Sequence, residues 1–159
     1  YEYRLKWGNV VYEPAELKVV AYKDGRLWAE DKVQTTGKAC RLKLTADKTS
    51  VRSDGDDLVF VRIACLDEAG NEVPDAEPVI SCRAEGCGTV IATDNGDATC
   101  LIRFSETTRP AFNGLMLAIV KPHRDQSGQL RLRVEAEGLE GASLDLTVKN
   151  NRWWSLRSS

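Results

Sequence analysis

Apolar and polar residues alternate with period two along most of the chain, and the 3.6-residue repeat of an amphipathic helix is nearly absent. Tyr1, Tyr3, Leu5 and Trp7 alternate with Glu2, Arg4 and Lys6, the pattern of a half-buried strand. Leu17, Val19 and Ala21 continue it up to Asp24-Gly25, a hairpin signal because both residues tolerate the positive φ of a two-residue turn. Leu27 to Thr35 supplies the returning strand. Leu42, Leu44 and Ala46, set against Arg41, Lys43 and Thr45, supply a fourth.

The same grammar resumes downstream. Val59, Val61, Ile63 and Cys65 face one way, with Phe60, Arg62 and Ala64 the other. A turn is expected at Glu68-Ala69-Gly70-Asn71, and Pro74 and Pro78 bound an irregular link. Ile80, Cys82 and Ala84 then alternate with Ser81, Arg83 and Glu85. Val90 to Ala92, the loop 93–97 and a short strand around Leu101 to Phe104 follow. Leu115 to Val120 is apolar in both phases, which predicts a central strand covered on both sides. Leu130, Leu132, Val134 and Ala136 alternate with Arg131, Arg133, Glu135 and Glu137, and Leu144, Leu146 and Val148 close the set.

Seven or eight short strands in about 100 residues predict an all-β chain. Its main part, residues 43–148, reads as an immunoglobulin-like antiparallel β-sandwich. Before it, residues 1–42 read as dense antiparallel β structure, and 149–159 as a tail or linker. Cys65 finds no cysteine on the late strand Leu115–Val120. The sandwich therefore rests on apolar packing, at about 25 cal/mol per Å² buried.

Composition agrees: 159 residues, 42% apolar and 29% charged, suit one or two packed domains. No run approaches the ~20 apolar residues of a spanning helix, so a membrane is not an expected partner. Opening on Tyr1, the chain reads as a mature product or an excised piece. Charge is uneven: residues 1–46 hold nine basic and six acidic side chains, residues 47–148 ten and eighteen, and residues 149–159 three and none. An acidic middle argues against tracking phosphates, and nucleic acid is excluded as a partner.

Candidate chemistry is sparse. Acid–base hydrolysis by paired carboxyl groups needs two of them facing one substrate, yet the acids cluster in turns such as Asp54–Asp57 and Asp94–Asp97. Of the five cysteines, Cys82 and Cys87 form one short spacing without the second pair or histidines that zinc wants. His123 reads as an exposed loop residue, unsuited to a cysteine–histidine pair. Cys65 and Cys82 share the phase of the core, Cys87 lies in a Gly-Cys-Gly turn, and Cys100 opens a strand. Disulfides Cys65–Cys82 or Cys87–Cys100 stay open. Asp94-Asn95-Gly96-Asp97 offers oxygen ligands but also suits a tight turn, and lacks the spacing of a calcium loop. No catalytic, cofactor or metal residue is assigned. Trp28, Trp153 and Trp154 are the aromatics free to stack on a glycan.

Several separated motifs carry a family resemblance. Tyr12-Glu13-Pro14-Ala15-Glu16-Leu17-Lys18-Val19-Val20-Ala21-Tyr22-Lys23-Asp24-Gly25, continued by Thr35-Thr36-Gly37, resembles a segment just after the catalytic barrel of many bacterial family 2 glycoside hydrolases, mostly β-galactosidases. Leu44–Asp47, Asp54–Leu58, Val73–Ala76, Asp94–Asp97 and Arg109–Gly114 resemble the immunoglobulin-like domain that follows there. The resemblance covers residues 1–148; Ala15 in place of the usual glycine, the five cysteines and the tail with Trp153-Trp154 depart from it. It implies a non-catalytic accessory fragment of a β-galactosidase-like enzyme, with residues 1–42 the C-terminal half of a small β-sandwich domain truncated at its start. The family's two catalytic glutamates match no position in this chain. The implied partners are the catalytic barrel and other domains of a parent chain, and the implied location is periplasmic or extracellular. A carbohydrate-binding module and an adhesin-type immunoglobulin repeat are the alternatives.

Overall fold

The computed structural model describes residues 8, 11 and 13–150. The strand expected at Tyr1–Trp7 and the tryptophans of the tail lie outside them. The chain forms two compact units, residues 1–36 and 37–159. The division precedes the expected one, because Gly37 and Cys40 donate their amides to Asp67 and to Leu66 O in the second unit.

The described part of the first unit is a hairpin of β1 (Glu16–Lys23) and β2 (Arg26–Gln34). Asp24 and Gly25 both take positive φ, 52° and 73°, as the sequence predicts for a two-residue turn. Leu17 pairs with Val33 and Ala21 with Ala29, then the register shifts so that Tyr22 meets Leu27. Trp28 is the extra residue of this bulge. On the alternate phase, Lys18 pairs with Glu30 at 2.7 Å and Lys32 with Glu16 at 3.3 Å.

The second unit is a sandwich of two sheets. Strands β3 (Arg41–Ala46), β5 (Val59–Leu66), β7 (Gly88–Asp94) and β9 (Leu115–Pro122) form one sheet in the order β3-β5-β9-β7, antiparallel throughout. The other sheet contains β4 (Ser50–Arg52), β6 (Val79–Gly86), β8 (Thr108–Pro110), β10 (Gly128–Ala136) and β11 (Ala142–Lys149). Its order is β4-β11-β10-β6-β8, antiparallel except where β4 runs parallel to β11.

Period-two alternation places one phase of each strand between the sheets. Val59, Val61, Ile63 and Cys65, with Met116, Ala118 and Val120, meet Ile80, Cys82, Leu130, Leu132, Val134, Leu146 and Val148. Burying this phase against the opposite sheet is what holds the unit together.

Two expectations are corrected. Residues 101–104 form no strand. Their carbonyls are taken instead: Ile102 O and Arg103 O accept from the Arg109 guanidinium, and Phe104 O from the Thr93 amide. Thus Cys100 lies in a loop. Strand β9 is central, as expected, but within the described residues only its Met116–Ala118–Val120 phase is buried; Leu115, Leu117 and Ile119 remain half-buried. The short strands β4 and β8 carry no readable alternation and were not anticipated. All five cysteines are free. Core burial pushes the Cys82 thiol up to about 12 and raises that of Cys65 as well.

Candidate interaction surfaces

The carboxylates show what chemistry the unit can hold. Asp54 accepts the amides of Asp56 at 3.0 Å and Asp57 at 2.9 Å, closing its own turn. Asp57 accepts the Arg52 amide at 2.9 Å and pairs with Lys48. Asp67 takes the amides of Gly37 at 2.9 Å and Asn71 at 2.8 Å, tying residue 37 to the end of β5. Glu72 and Asp145 receive two-pronged bonds from Arg62 and Arg131, at 2.6 Å and at 2.6 and 2.9 Å.

These contacts all stabilise the charged form. Amide donors first hold Asp54, Asp57 and Asp67 below the usual carboxylate range; the Thr99 hydroxyl does so for Asp97, and the arginines for Glu72 and Asp145. A glycosidase acid needs the opposite, a carboxyl kept protonated near neutrality. These six carboxylates are turn closers and ion-pair partners.

The other candidates are equally occupied. Asp94 accepts the Gly96 amide at 3.2 Å, while Asn95 accepts from Asp97 N at 3.2 Å and donates to Pro110 O at 3.0 Å, so this segment is a self-bonded turn. No group of three or more metal-ligating side chains converges among the described residues. The exposed His123 ring lies 3.3 Å from Gln126 Oε1, and Cys87 Sγ donates to Ser127 O at 3.6 Å.

Sequence reasoning missed Arg109. It is only 1% exposed. Its Nε donates to Thr93 Oγ1 at 3.3 Å, Nη1 to Cys100 Sγ at 3.1 Å, and Nη2 to Ile102 O and Arg103 O at 2.9 Å each. The Phe104 ring lies 5.6 Å from its guanidinium carbon. Its role is to fasten the 100–107 loop onto the sandwich. A three-residue strand leaves no period from which an inward arginine could be read.

Three surfaces remain as candidates for contact. The first is the outer face of the five-stranded sheet, where Asp145, Arg131 and Glu85 stand in one cross-strand row and Arg133 reaches Glu85 at 3.4 Å. The second is the outer face of the four-stranded sheet around Phe60, Leu117 and Ile119. The third is the hairpin tip, where Trp28 is 71% exposed, with Lys23 Nζ 5.9 Å from its ring and Asp24 and Arg26 beside it.

Residues 42–145, the sandwich just described, match the family described as glycoside hydrolase family 2 C-terminal domain 5. The chain belongs to that family. Residues 1–29 match a domain of unknown function, DUF4982. This family 2 C-terminal chain is 34% identical over 141 residues to beta-galactosidase BoGH2A of Bacteroides ovatus, covering 89% of this chain and 16% of that protein. It is similar to a solved glycosyl hydrolase family 2 member from Bacteroides cellulosilyticus, with a TM-score of 0.83 and 26% identity, over 88% of this chain and 18% of that one. A beta-glycosidase from Bacteroides vulgatus shares the fold, with a TM-score of 0.83 at 23% identity, over 87% of this chain and 18% of its own. The family 2 C-terminal chain thus spans less than a fifth of each of these relatives.

Proposed function

We propose that the chain is a non-catalytic accessory module of a family 2 glycoside hydrolase, seated beside the catalytic part of a longer parent, and that the parent hydrolyses terminal β-galactosides. The observation that carries this reading is the 34% identity to a β-galactosidase across 89% of this chain and only 16% of the relative. The chemistry supports it. Each carboxylate that the surroundings perturb is stabilised as an anion, and the inward apolar phase is buried between two sheets. An exported enzyme, periplasmic or extracellular, fits a bacterial parent of this kind. Expressing the full coding sequence and assaying a chromogenic β-galactoside tests the parent reaction; a full-length product without turnover would remove it.

A second reading, glycan binding, is favoured by one observation. Trp28 stands in a bulge, a device that re-aims a side chain, with its ring exposed among Lys23, Asp24 and Arg26. Affinity electrophoresis on galactan-type glycans tests it: retardation lost in Trp28→Ala supports it, and equal mobility with and without glycan dismisses it.

A further inference from the structure

We propose that the open outer face of the four-stranded sheet is the surface by which this module docks on the adjoining domain of its own polypeptide, receiving an apolar ridge edged by carboxylates. This rests on the accessory reading above and names its contact surface.

The two outer faces of the sandwich are built differently. On the five-stranded sheet, Arg83, Glu85, Arg131, Arg133, Glu135 and Asp145 project outward, and several are ion-paired. Covering such a face means desolvating every charge, so it is made for water. On the four-stranded sheet the matching phase is charged along β3 and at Arg62, Asp94 and Lys121, but an apolar strip runs between them. Phe60 stands opposite Ile119, Ile119 opposite Ala92, and Arg62 opposite Leu117. Ile91, the extra residue of a bulge between Val90 and Ala92, is a further apolar residue there, 37% exposed, and Phe60 is 42% exposed.

The fold itself covers one end of this apolar face and not the other. Ala64 and Leu66 share the phase of Phe60 yet are buried, at the end where the 67–76 loop returns to β5 through the Leu66–Glu72 bridge and the bond from the Val73 amide to Cys65 O. At the Phe60 end no described segment of the second unit does the same. An apolar central strand with its outer phase half open is made to be finished by something else.

Length and charge select the occupant. The chain spans 16% of the β-galactosidase relative and 18% of the solved family 2 member, so most of a parent's surface lies in its other domains. Lys121, which continues the Ile119 phase and faces Thr89, makes no ion pair among the described residues. A carboxylate at the edge of the incoming ridge would answer it. A second copy would bring the same apolar ridge and the same unanswered lysine.

Site-resolved thiol labelling of Phe60→Cys, with Arg133→Cys on the opposite sheet as control, tests this in the 159-residue chain and in the full-length polypeptide. Peptide mass spectrometry separates the introduced thiols from the five native cysteines. The thiol at position 60 should react at least about tenfold more slowly in the full-length polypeptide, where labelling must await an opening of the interface, with position 133 unchanged. Equal rates at position 60, or protection at position 133 instead, would overturn the proposal. So would protection at position 60 that rises with concentration in the 159-residue chain, because a second copy would then be the occupant. Ile91→Cys gives a second reading if Phe60→Cys lowers the melting temperature. Protection in a full-length polypeptide that hydrolyses no β-galactoside would retire the parent reaction and leave the docking surface standing.

Discussion

Leu132 lies at the centre of strand β10, fully buried at 0% exposure, between Ala84 on one neighbouring strand and Leu144 on the other. Leu132→Ala removes three carbons, about 2.4 kcal/mol of transfer free energy at about 0.8 kcal/mol each. Both neighbours are held by ladder bonds in register, so the space collapses little. The cavity term then brings the expected loss to about 3–5 kcal/mol. That is a large share of the ~5–15 kcal/mol by which domains are usually stable. Leu101→Ala is the matched control, because Leu101 is 97% exposed and its loss should stay within about 0.5 kcal/mol. Urea unfolding followed by far-ultraviolet circular dichroism measures both, the midpoint shifting while the slope holds. If Leu132→Ala lost less than about 1 kcal/mol, or no more than Leu101→Ala, packing between the sheets would not be the main source of stability.

Three further outcomes follow from the same geometry. Arg109→Ala leaves two carbonyls of the 100–107 loop without their donor and should cost about 2–4 kcal/mol, with faster proteolysis inside that loop; unchanged cleavage would contradict its fastening role. Asp57, Asp67 and Glu72 have folded values below their unfolded ones, so their contribution is complete above the ordinary carboxylate range and is lost as pH falls through the folded values. The melting temperature should therefore hold from about pH 7 to 5 and drop below about pH 4, less steeply in Asp57→Asn; a profile unchanged by that substitution would contradict the assignment. Gly114 has φ +74°, and a Cβ there would stand 2.2 Å from Val73 O, so Gly114→Ala should destabilise by more than about 1 kcal/mol in the same urea assay; wild-type stability would show that this turn relaxes freely.

The sandwich was legible because its signal is local. Alternation at Val59–Cys65 and at Leu130–Ala136 reports which phase is buried, whatever the partner strand. The Asp24-Gly25 hairpin was legible for the same reason, since two adjacent positive φ angles restrict the residue types. Residues 101–104 misled because Leu101, Ile102 and Phe104 look strand-like, while their backbone partner is an arginine some residues away, chosen by tertiary contact. The short strands β4 and β8 are paired with strands distant in sequence, over three residues each, too few to show a period. The turn roles of the acids were readable from composition. The open end of the Phe60 face was not, since it depends on where the 67–76 loop folds back.

On the proposed function, this chain supplies architecture and bond cleavage belongs to the rest of a parent enzyme. The most direct test is to incubate the purified 159-residue chain with a chromogenic β-galactoside at neutral pH and follow release of the chromophore. The expected rate equals that of buffer alone. Turnover that disappeared when one of the chain's own Asp or Glu residues was replaced by its amide would contradict it.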